Sequence, residues 1–326
     1  MDRAEHRRLS QTYRVHRPTT SRALLEVALQ AAWLAVGVAL SLGPAPLWPL
    51  GQLVLGLGFW RSFAMLHAAG HGALFPLGAA NAVAGNLLAL SCWIPYWPWK
   101  HVHAEHHRWT GWVDRDPTMD VVARGALPPW QARVVDWCWR FWIPLVSVAF
   151  IAGHFFSPRA SGAGVRRRER QGVASVALFA LVHGALVALA PAAWLRVMGA
   201  STLVYLTLGD LSLLAQHVHL PMQRAGDRDV RPVPRAEQDR YSRTMRLPRW
   251  FTRWIALGFN LHAFHHLFPH VPYYASFEAA GEAAGEAAGE TEGASAREAG
   301  HVTEWRGWLA RAKSMRATEL LFGSEG

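Results

Sequence analysis

Cysteine and charge are both scarce in this chain of 326 residues. The two cysteines, Cys92 and Cys138, form no Cys-x-x-Cys pair, which argues against a zinc ribbon and against a disulfide framework. Charged residues make up 17% of the sequence and hydrophobic residues 51%, a balance that argues against a soluble protein. The sequence also shows no haem-attachment motif, no Cys-rich iron–sulfur motif and no Gly-x-Gly-x-x-Gly dinucleotide fingerprint.

Long apolar runs are abundant instead. Four of them, residues 23–42, 47–65, 173–195 and 197–215, approach the ~20 residues that cross a bilayer. We therefore predict an all-α integral membrane protein with about four transmembrane helices in two hairpins. The net charge of +10 is better explained by loops that face anionic lipid than by a nucleic-acid surface, and no nucleic-acid partner is expected.

Two further apolar segments are interrupted by proline. Residues 79–99 contain Pro95 and Pro98, and residues 134–156 contain Pro144. The positive-inside rule places the basic run that begins at Arg166 in the cytoplasm, so both ends of the second segment should be cytoplasmic. We predict that these segments dip into the membrane or lie along its surface.

The chain divides into four parts by composition. Residues 1–22 are a basic cytoplasmic lead, and residues 23–276 form the membrane domain. Residues 277–300 repeat Glu-Ala-Ala-Gly and predict a flexible insert with no chemistry. Residues 301–326 form an amphipathic tail, with a surface helix expected at 305–321.

Three histidine clusters follow apolar segments. The central one is His103, His106 and His107, whose i, i+3 and i+4 spacing puts the rings on one face of a helix. A pair, His67 and His71, lies upstream, and the same spacing returns downstream at His262, His265 and His266. A solvated histidine run would explain one such cluster. Eight imidazoles exceed the roughly four ligands of a single zinc site, so a pair of metal ions is the simplest interpretation.

A ninth ligand is expected from the end of the last span. His217 and His219 point about 200° apart on a helix, so only one of them can face the site. Asp210 precedes His217 by seven residues and shares its face, and an ionisable residue within a span usually faces the bundle interior. This favours His217, with His219 as the alternate.

The combination of motifs resembles the membrane-bound fatty acid desaturases, nearest to the plant-type oleate and linoleate acyl-lipid enzymes. The similar stretch runs from about Gly58 to Tyr274. It includes the three boxes, the Pro95-Tyr96 and Trp99-Lys100 pairs, Thr110-Gly111, Arg115-Asp116, the Gln216-His217-x-His219 element and Leu267-Phe268. The chain departs from the plant pattern at Ala68, where those enzymes usually carry an acid, and in the Glu-Ala-Ala-Gly insert.

The resemblance implies two iron ions, with dioxygen as the co-substrate that removes hydrogen from a fatty acyl lipid. It also implies the ligand set His67, His71, His103, His106, His107, His217, His262, His265 and His266, in a cap on the cytoplasmic side. We expect electrons from a separate donor, a ferredoxin or b-type cytochrome with its reductase, that docks on the basic face.

Other residues are assigned to the surroundings of the metals. Asp114, Asp116, Asp210 and Asn260 could accept the outer N–H of the ligand rings, although solvated loop acids are the alternative for the aspartates. Trp93, Tyr96, Trp97 and Trp99 could line an acyl tunnel, and an interfacial aromatic belt explains them equally well.

Two other functions remain compatible with the boxes. A lipid or carotenoid hydroxylase or ketolase would use the same ligands, because the outcome depends on where the substrate sits relative to the oxidant. A histidine-rich metal transporter or sensor is less compatible, because a transporter would place its ligands near the bilayer midplane.

Overall fold

The computed structural model describes residues 3–156, 165–276, 279 and 302–323, and this part of the chain is mainly helical. The α-helices, in chain order, are α1 (Arg3–Thr12), α2 (Thr20–Leu42), α3 (Trp48–Gly70), α4 (Gly78–Cys92), α5 (Tyr96–Trp109), α6 (Asp120–Arg124), α7 (Pro129–Arg140), α8 (Leu145–Phe155), α9 (Arg166–Leu189), α10 (Pro191–His217), α11 (Arg249–Phe251), α12 (His262–Leu267), α13 (Trp305–Ser314) and α14 (Ala317–Phe322). Short 3-10 helices occupy Tyr13–Val15, Ala45–Leu47, Pro117–Met119 and Arg235–Tyr241, and a π-helical turn occupies Thr252–Ala256. Two strands, β1 (Thr244–Arg246) and β2 (Val302–Glu304), pair in parallel with Thr244 opposite Val302.

The chain divides into two compact units, and three helices, α5, α8 and α10, contribute residues to both. The membrane unit comprises Pro18–Val102 and Val146–Asp210. The histidine unit comprises Met1–Arg17, His103–Leu145 and Leu211–Gly326.

Four helices are long and apolar enough to cross a membrane, namely Thr20–Leu42, Ala45–Gly70, Arg166–Leu189 and Pro191–His217. They confirm the predicted fold class. The last two differ in their bounds from the predicted runs 173–195 and 197–215, although the hairpin was expected to split at Pro191 and its neighbours. The break lies at Ala190 because Pro191 begins the next helix, where its fixed φ suits a first turn and no backbone N–H is needed.

Buried polar groups join α2 to α3. The Gln30 side chain donates hydrogen bonds of 2.8 Å to the Gly58 carbonyl and to the Ser62 hydroxyl. It accepts one of 3.0 Å from Nε of Arg61. A Cβ on Gly58 would lie 2.7 Å from the Trp33 ring, so the glycine allows the two helices to approach closely. Gln30, a polar residue within the first span, thus has its hydrogen-bond partners inside the helix pair.

Arg196 of α10 contacts the opposite end of α2. Its guanidinium donates to the carbonyl oxygens of Ser41 at 2.6 Å and Gly43 at 2.9 Å. These carbonyls lie at the helix end, where no further turn of helix supplies donors. The α2–α3 turn is therefore held against the start of α10.

Both proline-interrupted segments form pairs of shorter helices. Helix α4 ends at Cys92, and Trp93 adopts a left-handed conformation with φ of 58° before α5 begins. Helices α7 and α8 have 12 and 11 residues and are separated near Trp142, whose φ is 60°. Each is too short for a spanning helix of ~20 residues.

The N-terminal lead folds onto the third histidine box. Leu9 and Tyr13 are buried in a cluster with Leu267, Phe268 and other residues that follow the box. The Tyr13 ring packs edge-on against Phe264 and Phe268, with ring centroids 5.6 and 5.0 Å away. The basic composition of residues 1–22 gave no sign of this packing, because it depends on two residues separated by four positions.

The C-terminal tail forms two helices rather than the single predicted one. The chain turns at Arg316, whose backbone N–H is capped at 2.9 Å by the Glu319 carboxylate. Ala312 and Leu320 pack against Trp139, Leu214 and other residues of the histidine unit. The predicted insert at 277–300 lies outside the described residues except for Ala279.

Candidate metal centre

The second histidine box lies in the last two turns of α5. His106 and His107 are buried, and His103 is half-buried. The rings of His103 and His107 share a face, with centroids 4.6 Å apart. Because the helix ends at Trp109, the box also lies beside the loop residues that follow it.

Four histidines from three helices converge in the histidine unit, and we call them the buried group. They are His106 of α5, His217 at the end of α10, and His262 and His266 of α12. One ring nitrogen from each lies within 4.8 Å of the others, and all four side chains are buried. Nε2 of His262 lies 2.8 Å from Nε2 of His217 and 3.1 Å from Nε2 of His266.

The outer nitrogens of three of these rings contact hydrogen-bond acceptors. Nδ1 of His106 donates to Oδ2 of Asp116 at 2.7 Å, and Nδ1 of His217 donates to the Tyr241 carbonyl at 2.8 Å. Nδ1 of His266 lies 3.3 Å from Oε1 of Gln238. A carboxylate or a carbonyl can only accept, so each of these rings carries its proton on Nδ1. The lone pairs on Nε2 therefore point into the group.

This arrangement fits a metal ion. The Nε2 lone pairs of His217 and His266 are directed at Nε2 of His262 from 2.8 and 3.1 Å, and a cation shared by these rings would stabilise that arrangement. The pKa of His266 lies well below its usual value because of burial and the neighbouring His262 and His106, so the ring is neutral, as a metal ligand must be. An all-imidazole set suits iron as well as zinc, copper and nickel.

A second set of rings, which we call the half-buried group, adjoins the first. Nε2 of His107 lies 3.1 Å from Nε2 of His103 and 3.0 Å from Nε2 of His265. His103 and His265 are half-buried. The centroids of His107 and His266 are 4.4 Å apart, so the two groups are neighbours.

The first box belongs to the membrane unit. His67 lies in the last turn of α3, and His71 is the residue after that helix. Their ring centroids are 5.0 Å apart, and the Trp99 ring packs on His67 at 5.8 Å. Gly70 contacts the Trp99 ring closely enough to leave no room for a Cβ, which explains the glycine in this box.

The two alternate ninth ligands lie in different places. His217 is in the buried group. His219 is exposed, has a positive φ of 58°, and donates a hydrogen bond of 3.0 Å to the Glu319 carbonyl of the tail. The helix ends at His217, and the left-handed backbone at His219 directs the chain away from it.

The four polar residues predicted around the metals have different contacts. Asp116 accepts from His106 and also from the backbone and hydroxyl of Thr118. Burial alone would raise the pKa of Asp116, but His106 and the Thr118 N–H bring it below its usual value. It therefore remains a carboxylate next to a ring of the buried group.

The other three stabilise backbone segments. Asp114 accepts from the backbone N–H groups of Ala225 and Gly226 at 2.9 and 2.7 Å. Asp210 accepts from the Ser147 N–H at 2.6 Å, at the start of α8. The Asn260 amide donates to the Met245 carbonyl at 2.8 Å and so joins β1 to the residues before α12.

The predicted tunnel aromatics pack within the membrane unit. Tyr96 is fully buried, and its hydroxyl donates to the Ala69 carbonyl at 3.1 Å. Trp93 donates from its indole to Thr202 at 2.9 Å, and Trp97 stacks on His101. These contacts hold the three rings in fixed positions, and a role in substrate binding stays a prediction.

Sequence reasoning missed two partners of the buried group, Gln238 and the Tyr241 carbonyl. Both belong to the 3-10 helix Arg235–Tyr241. A backbone carbonyl has no sequence signature. Gln238 lies in a polar, arginine-rich stretch, and a single glutamine there has no spacing that indicates a contact with a histidine box.

Parts of this chain are similar in sequence to plant desaturases. One relative is an omega-3 fatty acid desaturase, chloroplastic, from Brassica napus, 32% identical over 126 residues, which cover 36% of this chain and 30% of the relative. Another is the sn-2 acyl-lipid omega-3 desaturase (ferredoxin), chloroplastic, of Arabidopsis thaliana, also 32% identical over 126 residues, covering 36% of this chain and 27% of the relative. An omega-3 fatty acid desaturase, chloroplastic, of Glycine max is 28% identical over 187 residues, 52% of this chain and 40% of the relative.

The matched segments thus span less than half the length of these relatives. The fatty acid desaturase family pattern itself matches residues 42–290, which include all three histidine boxes and both histidine groups. With its apolar helices and clustered imidazoles, this integral membrane chain belongs to the fatty acid desaturase family.

Proposed function

We propose that the protein is a di-iron, dioxygen-dependent desaturase that introduces a cis double bond into a fatty acyl chain. The observation that carries the proposal is the buried group, in which three rings have their Nδ1 protons assigned outward and their Nε2 lone pairs directed inward. It occurs in a chain of the desaturase family whose relatives are named omega-3 desaturases.

The proposed ligands are the nine histidines of the two groups and the first box. They are His67, His71, His103, His106, His107, His217, His262, His265 and His266. When bound, two iron ions would supply the activation of dioxygen that an unactivated C–H bond requires. In the overall reaction a –CH2–CH2– unit, dioxygen, two electrons and two protons give –CH=CH– and two water molecules.

The protein's own contribution is to order the ligands and to exclude water. Asp116, the Tyr241 carbonyl and Gln238 hold the protons on the outer ring nitrogens, which fixes ring orientation and tautomer. The buried side chains of the group keep bulk water away from the nitrogens.

The electrons are proposed to come from a separate carrier. The Arabidopsis thaliana relative is named as a ferredoxin enzyme, and a ferredoxin or a b-type cytochrome with its reductase is the proposed donor. The basic run at the start of α9 and the positive-inside rule support a cytoplasmic location for the histidine boxes. Turnover by purified protein in oxygenated buffer without any reductant would contradict the requirement for a donor.

The test is the lipid profile of a heterologous host that expresses the wild type, His106→Ala or His219→Ala. His219 is the matched control, because it is exposed and contacts the tail instead of the buried group. We expect a new acyl double bond with the wild type and His219→Ala and none with His106→Ala. An oxygenated lipid would favour the hydroxylase or ketolase function, and a new double bond with His106→Ala would contradict the proposed metal centre.

A further inference from the structure

Gln238 lies between the two helices that carry most of the proposed ligands of the histidine unit. It is 3% exposed and belongs to the 3-10 helix Arg235–Tyr241. Its Nε2 donates to the His107 carbonyl at 2.8 Å and to the Val233 carbonyl at 3.3 Å. Its Oε1 lies 3.3 Å from Nδ1 of His266.

The two carbonyl oxygens determine how the amide is oriented. An amide NH2 group donates and an amide oxygen accepts, so the reverse orientation would place Oε1 against two other acceptors. Oε1 must therefore face His266, whose Nδ1 must in turn carry the proton. The tautomer of His266 is thus set, through one side chain, by backbone groups that do not touch the ring.

The contact with His107 has a second consequence. The His107 carbonyl is among the last four of α5, which an α-helix leaves without donors from a further turn. Gln238 supplies a donor to it, and so connects the backbone of a residue of the half-buried group to a ring of the buried group. The carbonyl of Tyr241, at the other end of the same 3-10 helix, accepts from His217.

We propose that Gln238 is a positioning residue of the metal centre, which assigns the proton of His266 to Nδ1 and holds the two histidine groups in fixed register. This inference rests on the proposed di-iron function. Two ions in neighbouring groups require ligands that keep their separation, and Gln238 bonds to a residue of each group.

The test uses three variants of the full chain purified in detergent. Gln238→Leu has similar size and loses both contacts, whereas Gln238→Glu keeps an acceptor for His266 and loses the donor to His107. Gln223→Leu is the matched control, because Gln223 is an exposed glutamine whose side chain donates to the Tyr241 hydroxyl and to no histidine ring. Iron affinity by chelator competition and the Mössbauer spectrum of the protein loaded with the iron-57 isotope are measured for each.

We expect iron affinity to fall by about 10- to 100-fold in Gln238→Leu, as is typical when an outer partner of a metal ligand is removed. Gln238→Glu should lie between this variant and the wild type, with an altered Mössbauer signal for one iron site. Gln223→Leu should match the wild type. Unchanged affinity and spectrum in Gln238→Leu, or an equal loss in Gln223→Leu, would overturn the inference.

Should Gln238→Leu not yield folded protein, Gln238→Glu decides the question. An altered signal at one iron site then supports the inference, and a spectrum identical to that of the wild type overturns it. A wild-type protein that binds no iron would instead refute the proposed function, so the two failures are distinguishable.

Discussion

The buried and half-buried groups are neighbours in the histidine unit, yet the protein surrounds them differently. The buried group contains rings from three helices, none more than 9% exposed, and its outer nitrogens contact a carboxylate, a carbonyl and an amide. In the half-buried group, His103 and His265 are partly open and both approach Nε2 of His107. The comparison indicates that hydrogen bonds from neighbouring residues hold the rings of the buried group in place. A metal ion in the half-buried group would exchange with solvent more readily.

The largest expected effect comes from removing one ring of either group. His266→Ala should abolish desaturation and release the ion of the buried group, because His266 is fully buried next to His262, His106 and His217. His265→Ala should also abolish desaturation but leave that ion in place. Iron per chain, measured by mass spectrometry of the purified variants, should fall from two to one in each, and loss of both ions in both variants would contradict the separation into groups.

The next largest effect is on iron affinity, and it should distinguish Asp116 from Asp114, which lies two positions before it. Asp116→Asn places an amide beside His106 and should weaken iron binding by about 10- to 100-fold. Asp114→Asn affects only the contact with the 225–226 backbone and should leave the metal affinity unchanged. Chelator titration of both variants measures their iron affinities. Equal affinities would show that Asp116 does not position His106 for metal binding.

Removal of the metal from the wild type should occur in two phases. The half-buried group is more accessible to a chelator, so its ion should leave first. Stopped-flow chelation monitored at the absorbance of the chelator complex measures the phases. A single phase that accounts for both ions would show that the difference in exposure does not govern release.

The smallest expected effect on the metal comes from the N-terminal helix. Tyr13→Ala removes a fully buried ring that packs on Phe264 and Phe268, and should lower the free energy of unfolding by about 3 to 5 kcal/mol, as for other large aromatic truncations. Iron content at low temperature should persist, because Phe264 and Phe268, on which the Tyr13 ring packs, are not proposed ligands. Val15→Ala, at a position that is 77% exposed, is the control and should leave thermal unfolding unchanged.

The sequence predicts what depends on local periodicity. Four apolar runs predict the four long helices, and the i, i+3, i+4 spacing places the rings of the second box on one face of α5. The bounds of α9 and α10 were wrong by several residues, because hydropathy decreases gradually whereas Pro191 ends the break abruptly. Such boundaries depend on backbone conformation more than on composition.

Contacts between distant segments of the chain could not be predicted from the sequence. Asp210 and His217 share a helix face by spacing, but two turns apart that face meets different neighbours, Ser147 N–H for one and the Tyr241 carbonyl for the other. Gln238 and Tyr13 act through contacts with residues more than 25 positions away. No periodic pattern encodes these pairings.

The most direct test of the central claim is anomalous diffraction from crystals of the purified protein, recorded at the absorption edges of iron and zinc. The account predicts an iron peak within bonding distance of Nε2 of His106, His217, His262 and His266, and a second iron peak beside His103, His107 and His265. Zinc at these positions, or no anomalous peak among the four buried rings, would contradict it.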